Sequence, residues 1–427
     1  MIAGLALAGL GAVSLLLSLN VWRPLRAPAT VATFSFFAGW LVGELAIHHV
    51  LAQLAGALAL VVLGGATGVP AAVGGALLGV SWLLLIAFYA HGHLQRTRIR
   101  AALDAAGAPE DPAHARGALE TLRKLVVPIP VFDLGVRCTG HVPFARIDGV
   151  TLKLDVHQPR AGGTGLPVLV YVHGGGWVIG HREHQGLPLL QHFAARGWVC
   201  FSVDHRRSPR ATFPEHLCDV KSALAWVREH AHEYGGDPSF LVLAGNSSGA
   251  HLAALAALTG NDPVYQPGFE HADTSVQACL GFYGVYDLFD RHGHHKNDGL
   301  RTLLERWVLK CSPADAPERY REHSPIDRVH AGRPPFLLVH GTRDTLSPVG
   351  EARRFAEALR AVPGATTCYL EVPYAQHAFE VFPSPRALHV LDGAFRFASA
   401  VRARHAVPAG FGREPPRPQP SPSASEM

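Results

Sequence analysis

Ser247 lies in the run GNSSG, residues 245–249, directly after the apolar stretch FLVLA (240–244) and directly before AHLAALAAL (250–258). A strand that turns at once into a helix holds a serine on a strained bend with its hydroxyl projecting from the sheet, and only small neighbours fit there. Gly245 and Gly249 are those neighbours, and they put Ser247 rather than Ser248 in frame. Upstream, LPVLVYV (166–172) runs into HGGGW (173–177). Negative charge on a tetrahedral intermediate needs preorganised donors, and bare glycine backbone lets N–H groups come close to it. Gly175 and Gly176 are the candidate donors, with the N–H of Ser248 completing an oxyanion hole. Trp177, next to the hole, is expected to wall a substrate pocket. Downstream, Asp344 follows the strand FLLVH in GTRD, and His377 follows the last strand in YAQHAF. Nucleophile, acid and base thus occur in the order serine, aspartate, histidine, with both partners on loops after strands. His377 would take the Ser247 proton, and Asp344 would hold its tautomer and stabilise the imidazolium. Glu371, Glu380 and Asp392 are weaker rivals to Asp344, because none follows a strand in the right frame.

These residues need a frame that gathers strand ends at one edge. From about Val131 short apolar runs alternate with helical patterns, which predicts an α/β fold with a mostly parallel sheet. Strands are expected at 166–172, 198–203, 240–244, 278–282, 335–340 and 367–372. Helices are expected at 183–196, 213–234, 250–258, 348–361 and 387–402. Residues 288–334 break the alternation and read as an insertion. His292, His294 and His295 within it could hold a metal, but the stretch reads as a polar loop, and the chemistry above needs neither metal nor cofactor. The domain reading is a membrane region at 1–91, an amphipathic helical linker at 92–130, a catalytic domain at 131–404 and a Pro/Ser/Arg-rich disordered tail at 405–427.

The front of the chain has a different composition. Among residues 1–90 only Arg23, Arg26 and Glu44 are charged, and residues 45–95 contain no Lys, Arg, Asp or Glu. Apolar runs of this length read as spanning helices. Four spans are expected, near 2–22, 29–48, 50–67 and 71–91, with three spans and one re-entrant piece as the alternative. A cleaved signal peptide fits poorly, since no basic region precedes the first run. Glu44 and His48 share one helix face, with His49 adjacent, and read as interface groups that cap the bundle. Arg96, Arg98 and Arg100 after the last span place the catalytic domain on the cytoplasmic side of a cell membrane. Arg23 and Arg26 then lie outside, against that rule. The six cysteines show no paired spacing, and Cys200, Cys279 and Cys368 fall in expected strands, which favours a reducing compartment. The formal net charge of +4 over 427 residues, with no basic stripe, argues against nucleic acid as a partner.

The blocks HGGGWVIG, FSVDHRRSP…FPEHLCDVKSALAWV, LAGNSSGAHLAALAA, HSPIDRV…PPFLLVHGTRDTLSP and YAQHAF, over about 140–400, resemble the hormone-sensitive-lipase group of α/β-hydrolase carboxylesterases. With its apolar front, the whole chain looks like the membrane-associated Lip-type esterases of actinobacteria. The resemblance implies an α/β-hydrolase fold behind a transmembrane helical bundle. It also implies a Ser–Asp–His esterase with an HGGG oxyanion hole, carried onto Ser247, Asp344, His377, Gly175 and Gly176. The group usually has Asp before the nucleophile and Ala after it, where this chain has Asn246 and Ser248. GNSSGAH is also similar to kynurenine formamidases and prenylcysteine methylesterases. The expected function is a membrane-anchored serine carboxylesterase acting on acyl or lipid-like esters. The alternatives are a formamidase, amidase or prenylcysteine methylesterase of the same fold, or an inactive membrane scaffold.

Overall fold

The computed structural model describes residues 1–110, 116–128 and 133–406. The expected tail therefore lies outside the described residues from 407 onward. Eight strands form one sheet: β1 (Val136–Ile147), β2 (Val150–Pro159), β3 (Leu166–Val172), β4 (Val199–Val203), β5 (Gly236–Asn246), β6 (Ala278–Phe282), β7 (Phe336–Gly341) and β8 (Thr367–Val372). Their order is β1-β2-β4-β3-β5-β6-β7-β8. β1–β2 and β2–β4 pair antiparallel, and every later pair is parallel. Strands β3 to β7 are nearly continuous apolar runs, as parallel strands covered on both faces must be. Successive residues of one strand serve opposite faces. Val168, Val170, Leu241 and Leu243 join one core, while Leu169, Tyr171, Val242 and Ala244 join the other.

In the catalytic part the helices are α6 (Leu187–Ala194), α7 (Glu215–His230), α8 (Ser248–Leu258), α9 (Gly299–Leu303), α10 (Pro317–Glu322), α11 (Val349–Ala361) and α12 (Pro385–His405). They follow α1 (Ile2–Trp22), α2 (Ala29–Glu44), α3 (Ala46–Val62), α4 (Gly68–Ala105) and α5 (Ala118–Val126) of the front region. α7, α8 and α11 cover the first core; α6, α12 and the last turns of α4 cover the second. The β1–β2 hairpin was not anticipated, although Asp148–Gly149 between two alternating runs is a hairpin signal. Both turn residues adopt positive φ, +50° and +76°. β1 is mostly exposed, so it lacks the apolar run by which the inner strands announce themselves.

α1 and α4 are long and apolar enough to cross a membrane, and α2 with α3 would add a third crossing if that bent pair counts as one span. α1 and α4 meet backbone to backbone, since a Cβ on Gly11 would lie 2.5 Å from the Gly74 carbonyl oxygen. Small residues at helix crossings permit such an approach in lipid. Ser18 and Ser81 hydroxyls bond across the same seam at 2.7 Å. The structure departs from the expectation of four spans: α2 and α3 are bent by 88°, at Leu45. The physical reason is Glu44, whose carboxylate accepts from Ser384 Oγ and pairs with Arg386 Nε at 3.7 Å. α2 thus ends on the catalytic part. After the last apolar run α4 continues to Ala105, and Ile99 and Leu103 enter the sheet's second core.

All six cysteines are free, and Cys200, Cys279 and Cys368 are buried. Several histidines are buried too. Burial pushes the imidazoles of His157 and His251 down to about 4, and burial beside His251 pushes His323 down to about 3. Between these values and an unfolded value of about 6.5, the unfolded chain binds more protons than the folded one. Their contribution to stability is complete above that unfolded value and is lost as pH falls toward the folded one. Glu380, which burial pushes up to about 7, works in the opposite sense, as do Asp219, Asp392 and His295, but burial also lowers His173, His192, His205, His216 and His389, so the lowered imidazoles are the larger set. The melting temperature of detergent-solubilised protein should therefore fall steadily from about pH 7 to about pH 4.5. A melting temperature that stays constant or rises over that interval would contradict this account.

Candidate active site

β5 ends at Asn246, and α8 begins at Ser248. Ser247 between them has φ 53° and ψ −125°, a sparsely populated conformation that costs about 1–3 kcal/mol for a non-glycine residue. The glycines on either side allow it. A Cβ on Gly245 would lie 2.3 Å from the Gly249 carbonyl oxygen, and one on Gly249 would lie 2.2 Å from that of Val172. The turn is therefore pressed against the end of β3, where the glycine loop starts.

Ser247 Oγ lies 2.9 Å from His377 Nε2, and His377 Nδ1 lies 2.6 Å from Asp344 Oδ2. An ionised carboxylate only accepts, so Nδ1 carries the proton and Nε2 is left to accept from the serine hydroxyl. Asp344 is 1% exposed. Its Oδ1 accepts from the backbone N–H groups of Leu346 and Ser347, both at 2.8 Å. Burial pushes its carboxyl up, but the imidazoles of His377 and His340 more than offset this and hold it well below the usual carboxylate range. It is thus ionised at neutral pH. The rival carboxylates are engaged elsewhere: Glu371 with Arg353, Asp392 with Arg116, and Glu380 with Tyr283.

The glycine loop crosses directly over the serine turn. A Cβ on Gly174 would lie 2.9 Å from Ser247 Cβ. Gly174 N–H donates to Asn246 Oδ1 at 2.6 Å and to Gln185 Oε1 at 2.9 Å. Trp177 N–H donates to Ser248 Oγ at 3.2 Å. Between them, the N–H groups of Gly175 and Gly176 have no acceptor among the described residues. Both glycines have positive φ, 125° and 61°. Ser248 is the first residue of α8, so its N–H lacks an intrahelical acceptor as well. Trp177 has φ 60° and is 1% exposed. That conformation turns its indole into the core, edge-on to His251 at 5.1 Å, behind the site rather than along an open wall. The insertion histidines have partners of their own: His295 Nε2 is 2.5 Å from Glu351 Oε1, and His294 packs over Gly350.

Two positions that sequence reasoning noticed only as departures prove to be structural ties. Asn246 and Ser248 each bind one N–H of the glycine loop. Asn246 Nδ2 also donates to Tyr283 Oη at 3.0 Å, and Tyr283 donates to the buried Glu380 carboxylate. The Tyr283 ring lies 4.4 Å from that of His377. Tyr283 directly follows β6, so its place at a strand end was the available signal. Nothing local marked Phe36 of α2, whose ring stands edge-on to the His377 imidazole at 6.0 Å.

The sheet order and the left-handed serine between β5 and α8 define an α/β-hydrolase. Residues 154–359 match the BD-FAE family model. The probable carboxylic ester hydrolase LipM of Mycobacterium tuberculosis is 37% identical over 92% of this chain and 92% of its own length. The esterase LipQ of the same organism is 43% identical over 57% of this chain and 58% of its own. Among solved structures, the butyrate-bound thermophilic esterase Est2 of Thermogutta terrifontis has a TM-score of 0.52 at 26% identity, covering 65% of this chain and 97% of that one. The chain belongs to the LipM-like carboxylic ester hydrolases, of the hormone-sensitive-lipase type that its motifs resemble. It is an enzyme that hydrolyses carboxylic esters.

The Asn246 ties carry a testable consequence. Its amide accepts from Gly174 and donates to Tyr283, which leaves the single tyrosine proton for Glu380. Above about pH 7, where Glu380 is ionised, the carboxylate of Asn246→Asp would compete with it for that proton and leave one buried acceptor short, at about 1–3 kcal/mol. We expect a lower melting temperature for N246D and recovery in N246D/E380Q, because a Gln amide can donate to Tyr283. A double variant no more stable than N246D would refute the assigned direction of these bonds.

Proposed function

We propose that this chain is a membrane-anchored serine carboxylesterase in which Ser247 is the nucleophile, His377 the general base and Asp344 the residue that orients it. The observation that carries this reading is the unbroken contact from Asp344 through His377 to Ser247, beside a glycine loop whose Gly175 and Gly176 N–H groups have no acceptor among the described residues. Ser247 Oγ attacks the ester carbonyl carbon while its proton passes to His377 Nε2. The oxygen that gains negative charge is held by the N–H groups of Gly175, Gly176 and Ser248. Collapse expels the alcohol, which takes the proton from His377 and leaves an acyl-serine. Water, deprotonated by His377, attacks the acyl carbon, and the acid departs as Ser247 regains its proton.

Ser247→Ala should retain its fold and melting behaviour and lose about 10⁶-fold in kcat on p-nitrophenyl esters. It should also lose labelling by a fluorophosphonate probe. Labelling that persists in S247A would move the nucleophile elsewhere, and a folded wild-type protein that never labels would favour the inactive scaffold.

The anchor in this reading is the pair α1 and α4, with the catalytic part on the cytoplasmic side because Arg96, Arg98 and Arg100 follow the apolar half of α4. Cys138, on β1, is the exposed thiol of the six. A membrane-impermeant maleimide should reach it only after cells are permeabilised, and Cys138→Ser should abolish that signal. Labelling of intact cells at Cys138 would put the domain on the other side.

A further inference from the structure

α2 belongs to the apolar front of the chain, yet it lies on the loops that carry Asp344 and His377. Phe36 stands against the His377 imidazole. Four residues on, Trp40 Nε1–H donates to the Ala378 carbonyl at 2.8 Å. Just before α2, Arg26 Nη2 donates to the Thr342 carbonyl at 3.2 Å. Thr345 Oγ1, next to Asp344, reaches the Ala32 carbonyl at 3.5 Å. The far end is held by Glu44 to Ser384 and Arg386. α2 is thus fastened at both ends and touches the base of the site with an aromatic ring.

Those contacts continue outward. Phe37 is 49% exposed. Its ring lies 4.8 Å from Phe36 and 6.4 Å from Trp40, and Trp40 lies 5.1 Å from Phe382. An aromatic path therefore runs from the exposed face of α2 to the reacting imidazole. Two exposed apolar side chains stand on the loops of the site itself, Leu346 after Asp344 and Ile179 after the glycine loop. A small water-soluble ester gains little from such a rim. A long alkyl chain gains about 0.8 kcal/mol for each methylene it buries.

We infer that α2 is the entry wall of the active site and that its substrates are long-chain esters drawn from the bilayer, with the chain lying along Phe37, Phe36 and Trp40. This rests on the serine-esterase reading of the same site and names the substrate class within it. The wall is supplied by the apolar front of the chain, next to the anchoring helices, so an ester partitioned into the bilayer would reach Ser247 without crossing water.

The test uses the full-length protein in phosphatidylcholine vesicles, with p-nitrophenyl palmitate in the bilayer and p-nitrophenyl butyrate in solution. Phe37→Ala should lower the palmitate-to-butyrate ratio of kcat/KM roughly tenfold, the scale of one lost aromatic contact surface. Phe34→Ala is the control, because Phe34 is 77% exposed and has no ring contact with the site; the ratio should hold. An unchanged ratio in F37A, or an equal fall in F34A, would overturn this inference alone. A wild-type protein inert on both esters would overturn the esterase reading and this one with it.

Discussion

Two backbones meet at the C-terminal edge of the sheet with no room for a Cβ between them. β3 and β5 are adjacent and parallel, so the glycine loop that leaves one and the serine turn that leaves the other emerge side by side. Gly249 fits under the Val172 carbonyl, and Gly174 fits over Ser247. Once locked together, the turns share a hydrogen-bond account over four consecutive N–H groups. Those of Gly174 and Trp177 are taken by Asn246 and Ser248, and those of Gly175 and Gly176 between them are left open. Leaving donors unpaired costs free energy, and so does the left-handed Ser247. Both costs fall at one place, the site for which we propose ester chemistry.

The front of the chain is joined to this edge by more than a linker. Arg386, in the first turn of α12, is 2% exposed. It pairs with Glu44 at the end of α2, donates to the Phe88 carbonyl and lies over the Phe88 ring of α4 at 3.9 Å. Burying an ion pair is weak evidence of stability, because desolvation offsets the attraction. What this pair does is fix position, since one guanidinium sets α2, α4 and α12 relative to each other. α4 adds to this by carrying apolar surface at one end and core residues Ile99 and Leu103 at the other. The apolar helices and the sheet are therefore set by shared side chains, which is why α2 can reach the His377 loop.

Much of this was legible beforehand. β6 and β8 fall on the residues their apolar runs indicate, and the order serine, aspartate, histidine singles out three groups that the fold brings into contact. What escaped has physical reasons. Hydropathy records that 29–62 is apolar, but the bend depends on a partner for Glu44 found at Ser384 and Arg386, far along the chain. Trp177 sits beside the glycine loop in sequence, yet its positive φ turns it into the core. Asn246 and Ser248 stood out only as substitutions, because their roles depend on loop N–H groups contributed by another strand end. The β1–β2 hairpin carried a turn signal, but its outer strand is too exposed to show an apolar pattern.

The 26 histidines show how environment separates like residues. His251 binds the His323 carbonyl and His216 the Ser208 hydroxyl. A neutral partner does little for an imidazolium, and burial pushes His251 and His216 below the ordinary value. Three imidazoles instead face a buried carboxylate: His377 and His340 face Asp344, at 2.6 and 3.4 Å, and the half-buried His295 faces Glu351. At His295, burial lowers the pKa but Glu351 raises it by more, so that ring sits above the ordinary value. A carboxylate partner is therefore not by itself what marks His377. Of these three, His377 has the strained serine hydroxyl on its other nitrogen, and that contact gives the hydrogen-bonded pair a route for a proton.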